Sequence, residues 1–103
     1  MLDIDIDSKW GILFVRLYGK LTKDTRRKLN DEVINLIKKV GVNNIVLNIQ
    51  NLNYIDESGV KTIIKCYKIC EKSFLCINNN QLDLFKNLKC VTDELSAVSI
   101  ICT

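Results

Sequence analysis

The chain has 103 residues, 48% of them hydrophobic and 26% charged, with a net charge of +3. That length points to one domain, 1–103, with a real but modest core. The composition excludes a disordered polyelectrolyte, and scattered lysines interrupted by apolar residues give no basis for a nucleic-acid partner.

Residues 2–7 alternate strictly, with Leu2, Ile4 and Ile6 against Asp3, Asp5 and Asp7. This period of two predicts a half-buried strand. With these three acids and no apolar block, no signal peptide is expected in this stretch. No apolar stretch reaches membrane-spanning length, so a cytoplasmic protein without membrane insertion is expected. Ser8-Lys9-Trp10-Gly11 predicts a turn, with Gly11 free to take positive φ. Residues 12–18 follow as a second strand, Leu13, Val15 and Leu17 on one face and Phe14, Arg16 and Tyr18 on the other, which gives an antiparallel hairpin.

Gly19-Lys20-Leu21-Thr22 leaves that strand, with Thr22 as a candidate N-cap. Leu29, Val33, Leu36, Ile37 and Val40 then fall at helical spacing. Lys38, Lys39 and Gly41 supply a stop. Residues 44–49 form a nearly continuous apolar run, as in a central strand. A polar turn and a helix from about Glu57 to Lys72 follow, with Val60, Ile63, Ile64 and Tyr67 on its apolar face and Lys61, Lys65, Lys68 and Lys72 largely off it. Phe74–Ile77 predicts a short strand and 78–80 a loop. Residues 81–88 predict a short helix with Leu82, Leu84, Phe85 and Leu88 as its apolar side, and 98–102 a final strand. The fold class is α/β, in the order β-β-α-β-α-β-α-β, with mostly parallel crossovers.

Little in this chain supports catalysis. It has no histidine, which removes the commonest general base. Its four glycines, at 11, 19, 41 and 59, form no phosphate-binding loop. The five cysteines, at 66, 70, 76, 90 and 102, lack a Cys-x-x-Cys pair. Buried or half-buried thiols in a reducing compartment are expected rather than a metal site. Asp56 and Glu57 are adjacent carboxylates, but Asp56 is a natural N-cap and Glu57 suits the positive end of a helix dipole. Ser58 has no base to activate it. No enzyme activity and no cofactor are expected.

The hairpin, Gly19-Lys20-Leu21-Thr22, Ile45–Asn48, Tyr54-Ile55-Asp56-Glu57-Ser58-Gly59-Val60 and Phe74–Ile77 together resemble a STAS domain of the anti-sigma-factor antagonist kind. The resemblance covers essentially the whole chain and implies a mixed sheet with helices mainly on one side. It also implies a non-enzymatic protein, monomeric when free, whose partner is an anti-sigma factor. That partner is itself a serine kinase of the histidine-kinase-like ATPase fold. Phosphorylation at the start of the second helix ends the interaction and a phosphatase restores it. A phosphate brings about −2 charge to a docking surface, enough to oppose binding there.

The resemblance places the acceptor directly after the aspartate, where this chain has Glu57. Either Glu57 is a fixed charge and the switch is absent, or Ser58 is the acceptor. The first is favoured, because Glu57 would repel a phosphate on Ser58. Where the family often has Gly-Glu-Leu-Asp, this chain has Gly19-Lys20-Leu21-Thr22, so an acidic stretch near the partner-facing loop is missing. The expected docking surface comprises the loop from Gly19 to Thr25, with Thr22, Lys23 and Asp24, the turn Asp56, Glu57, Ser58 and Gly59, and Lys61, Thr62 and Lys65 on the helix. Two alternatives remain from the sequence: a STAS subunit regulating a transporter or its ATPase without phosphorylation, and a small-molecule-binding module.

Overall fold

The computed structural model describes residues 1–101. Strands β1 (Leu2–Lys9) and β2 (Ile12–Leu21) pair antiparallel. Trp10 and Gly11 join them, and both take positive φ, 56° and 73°. Two consecutive left-handed residues make a primed hairpin turn, whose twist matches that of the strands it joins. Strand β3 (Asn44–Ile55) pairs parallel with β2, β4 (Lys72–Cys76) parallel with β3, and β5 (Cys90–Val91) parallel with β4. The sheet is therefore mixed, in the order β1-β2-β3-β4-β5.

Between β2 and β3 runs helix α1, built from an α-turn Arg26–Leu29, a π-turn Asn30–Ile34 and an α-helix Asn35–Val40. Helix α2 (Glu57–Ile69) joins β3 to β4, a 3-10 segment (Asn79–Phe85) precedes β5, and α3 (Glu94–Ile101) follows it. One face of the sheet, with Leu13, Val15, Leu17, Ile45, Leu47 and Leu75, packs on Leu29, Val33, Ile37, Ile63, Cys66 and Phe85. The other face, with Ile12, Phe14, Val46, Phe74 and Cys76, is covered by α3 through Ala97, Val98 and Ile101. Helices thus lie mainly on one side.

Several elements differ from the sequence expectation. Strand β3 continues to Ile55 instead of ending at 49, because β2 also runs on to Leu21 and offers it a partner. Leu52 is buried between exposed Asn51 and Asn53, so the alternation persists with asparagines on the wet face. Helix α1 starts at Arg26, not behind a Thr22 cap. Its wider π-turn rotates the buried face, so Ile34 is buried and Val40 is 60% exposed. Helix α2 ends at Ile69, and Lys72 opens β4. The predicted helix 81–88 is the 3-10 segment, with Phe85 buried but Leu82 and Leu84 exposed.

The predicted final strand over 98–102 is replaced by α3, while Cys102 lies outside the described residues. A short apolar run does not distinguish a strand from a buried helix. Asp93 decides it locally, its Oδ1 accepting the Ser96 N–H at 2.8 Å in the manner of a helix cap. Arg16 pins the start of α3 from the sheet with two bonds to Glu94, Nε to Oε2 at 2.9 Å and Nη2 to Oε1 at 2.8 Å. Among the described residues the last strand is instead the short β5.

Candidate functional site

The parallel ends of β2 and β3 deliver two loops to one edge of the molecule. Asp56 holds them together. Its Oδ1 accepts the Gly59 N–H at 2.8 Å, capping α2, and its Oδ2 accepts the Lys23 N–H at 3.0 Å from the loop after β2. The Asp56 N–H in turn donates to the Leu21 carbonyl at 3.1 Å. Both carboxylate oxygens are occupied by backbone donors, and the Gly59 N–H chiefly, then that of Lys23, holds the Asp56 carboxyl below its usual range.

Gly59 is required by this approach. A Cβ on it would stand 2.5 Å from the Leu21 carbonyl oxygen and 2.8 Å from Ile55 Cγ1. The start of α2 therefore presses directly against the end of β2. Thr25 shapes the neighbouring loop: its Oγ1 accepts the Thr22 N–H at 2.9 Å and donates to the Lys20 carbonyl at 2.8 Å. Thr22 Oγ1 accepts the Asp24 N–H at 3.2 Å.

Glu57 projects from the first turn of α2 with its side chain 87% exposed, and Lys61 Nζ lies 3.6 Å from its Oε1. Ser58 is half-buried, and its carbonyl accepts the Thr62 hydroxyl at 2.9 Å. Lys23, Asp24, Lys61 and Lys65 are exposed. Thr62 is not: at 6% exposure it faces inward, so it offers no docking surface of the kind the sequence suggested. Gly59, also buried, acts through the space it leaves. The structure thus brings residues 22–24 and 56–61 to one edge, while Thr62 supports that edge from beneath.

Sequence reasoning placed Thr25 at the end of the docking loop but missed the loop-shaping role of its hydroxyl, and it missed the Leu21 carbonyl. Thr25 stands three residues after Thr22, the spacing of a hydroxyl-stabilised turn, and this was the available signal. A backbone carbonyl 35 residues before Asp56 leaves no trace in the sequence. On the opposite face, Arg16 and Glu94 form a further polar cluster in which Asn48 Nδ2 also donates to Glu94 Oε2 at 2.8 Å.

Residues 3–89 match the STAS domain family. The chain belongs to that family. It is 32% identical over 68 residues to the anti-sigma F factor antagonist of Paenibacillus polymyxa, an alignment covering 66% of this chain. The chain spans only 58% of that relative's length. An anti-sigma factor antagonist from Mycobacterium paratuberculosis superposes with a TM-score of 0.87 at 11% identity, covering 100% of this STAS chain and 96% of that one. The anti-sigma factor antagonist SpoIIAA in its unphosphorylated form gives 0.79 at 17% identity, covering 97% of this chain and 98% of its own. Phosphorylated SpoIIAA from Bacillus gives 0.71 at 17% identity, covering 96% and 99%. At such identities these superpositions establish the STAS fold. Among the described residues no helix is long and apolar enough to cross a membrane.

Proposed function

We propose that this STAS chain is a non-enzymatic, single-domain interaction module that binds an anti-sigma factor, with a fixed negative charge where its relatives carry a switchable one. The supporting observation is the contrast between neighbours at the start of α2: Glu57 is fully presented to solvent, whereas Ser58 is half-buried. A docking partner therefore meets the Glu57 carboxylate first. That carboxylate carries one charge where a phosphate would carry about 1.5 to 2, and Lys61 partly offsets it. Docking is weakened by a constant amount instead of being turned off.

In this reading the partner is a cytoplasmic anti-sigma factor and serine kinase of the histidine-kinase-like ATPase fold. It contacts Lys23, Asp24, Glu57 and Lys61 on a backbone frame held by Asp56 and Gly59. A phosphatase has no substrate on the wild-type chain.

The test combines the purified chain with the anti-sigma kinases of its own cell, with and without ATP. A complex is expected by size-exclusion chromatography, and the intact mass of the chain should stay unchanged after ATP. Glu57→Ser should bind roughly tenfold tighter, about 1.4 kcal/mol, gain one phosphate with ATP, and then dissociate. Phosphate on wild-type Ser58 would refute the fixed charge. Failure of every anti-sigma factor to bind either form would refute the partner class.

A further inference from the structure

Helix α2 carries Lys61, Lys65 and Lys68 at spacings of four and three residues, all exposed. At 100° per residue they fall within roughly 60° of the helix circumference. Beside this line, between α2 and the 3-10 segment, lies an open groove of about 290 Å³ lined by Ile64, Lys68, Leu84, Phe85, Lys86 and Leu88 among others. Its floor is apolar: Phe85 belongs to the core, and Ile64 and Leu88 pack partly against it. Leu84 stands on its wall 44% exposed. A lysine flanks each side, Lys68 from α2 and Lys86 from beyond the 3-10 segment. Three exposed acids accompany these lysines: Asp83 lies 3.9 Å from Lys86 Nζ, Glu57 sits by Lys61 at the far end of the line, and Glu71 follows Lys68 by three residues. Each such pair offsets its lysine in part and, being exposed, holds it only weakly.

We infer that this groove is a second docking surface of the module, and that its occupant is an acidic amphipathic segment of a protein partner. The apolar floor calls for an apolar side chain, and the lysines on both sides call for carboxylates flanking it. At about 290 Å³ the groove lies just under the usual volume range of small-molecule sites. A nucleic-acid backbone would satisfy the lysines but leave the floor unfilled. Its bases would find no stacking platform, since Phe85 is buried. A membrane surface demands a broad apolar face with aromatic anchors, whereas this wall offers one exposed leucine. An apolar residue set between acids meets all the features at once, as in helix-in-groove recognition. The groove is distinct from the Asp56–Gly59 edge, so either surface can fail its test while the other stands.

The probe is a synthetic peptide of about a dozen residues, with leucines at helical i, i+3, i+4 spacing and glutamates elsewhere. Binding is followed by amide chemical shifts of the whole chain. The comparison ligands are a scrambled peptide of equal composition, a single-stranded oligonucleotide and phosphatidylserine vesicles. Saturable shifts are expected at Ile64, Lys68, Leu84 and Leu88. Scrambling should weaken binding about tenfold or more, as should the double substitution Lys68→Glu, Lys86→Glu. Both lysines are exposed, so circular dichroism of that variant should match wild type. Leu84→Ala gives a second handle on the apolar contact without changing any charge, and should also weaken the peptide. The inference is overturned by absence of saturable shifts in the groove, by equal binding of the scrambled peptide, or by tighter binding of the oligonucleotide or the vesicles at these residues.

Discussion

Gly59→Ala tests the central contact of the site, because two physical effects push its stability in opposite directions. In an open helix, alanine in place of glycine stabilises by about 0.8–1 kcal/mol. Here the added Cβ would meet the Leu21 carbonyl oxygen at 2.5 Å and Ile55 Cγ1 at 2.8 Å. The Ile55 side chain can rotate away. The carbonyl cannot, because it belongs to β2 and accepts the Asp56 N–H. Overpacking of this kind costs about 1–3 kcal/mol, and a backbone obstacle favours the upper part of that range. The net loss should be about 1–2 kcal/mol, or roughly 5–15 °C in Tm for a chain of this size. Thermal and urea unfolding would measure it, with an unchanged m-value confirming that the unfolded state is the same. Amide exchange should also quicken at Lys23, whose N–H reaches Asp56 across the same contact. A variant as stable as wild type, or more so, would refute the close approach of α2 to β2.

Asp56→Asn removes a carboxylate whose folded-state pKa lies below its ordinary value of 3.8. A depressed acid contributes stability above its unfolded pKa and loses it as pH falls through the folded value. The gap between wild type and variant should hold steady at neutral pH and close on acidification, as read by urea midpoints across pH. Glu94→Ala should cost about 1–2 kcal/mol by removing the paired bonds to half-buried Arg16, and hydrogen exchange should rise in α3 before it rises in β2 or β3. Burial pushes the Cys66 and Cys76 thiols up to about 12, so iodoacetamide at mildly alkaline pH should modify half-buried Cys90 well before either, as mapped by peptide mass. Glu57→Ser should leave stability within about 0.5 kcal/mol of wild type, since an exposed ion pair contributes little.

The helical and strand cores were legible where one period dominated. Leu13, Val15 and Leu17 alternate and are buried as expected, and Lys38, Lys39 and Gly41 end α1 with Gly41 at φ 70°. Elements set by distant partners were not legible. The polar stretch 50–53 reads as a turn until β2 is seen beside it. Residues 98–101 read as a strand until Arg16, 78 positions before Glu94, fixes the start of a helix. The site divides in the same way. Asp56 as a cap and Glu57 as a surface charge follow from local chemistry. The burial of Thr62 does not, because its position relative to the sheet depends on how closely Gly59 lets α2 approach.

That division bears on how such an edge can change partners. Asp56 commits both oxygens to backbone donors, and Gly59 acts through its backbone N–H and the space it leaves. Neither is free to report a partner's identity, and altering either disturbs the frame. Lys23, Asp24, Glu57, Lys61 and Lys65 have side chains outside the frame and exposed to an approaching surface. Electrostatic complementarity governs choice of partner and rate of encounter more than fold stability. Charges on this edge can therefore be exchanged at little structural cost, and a carboxylate at position 57 requires no adjustment of the backbone that presents it. The STAS frame and the charge it presents are thus separable, and the permanent charge proposed for position 57 is compatible with an intact frame.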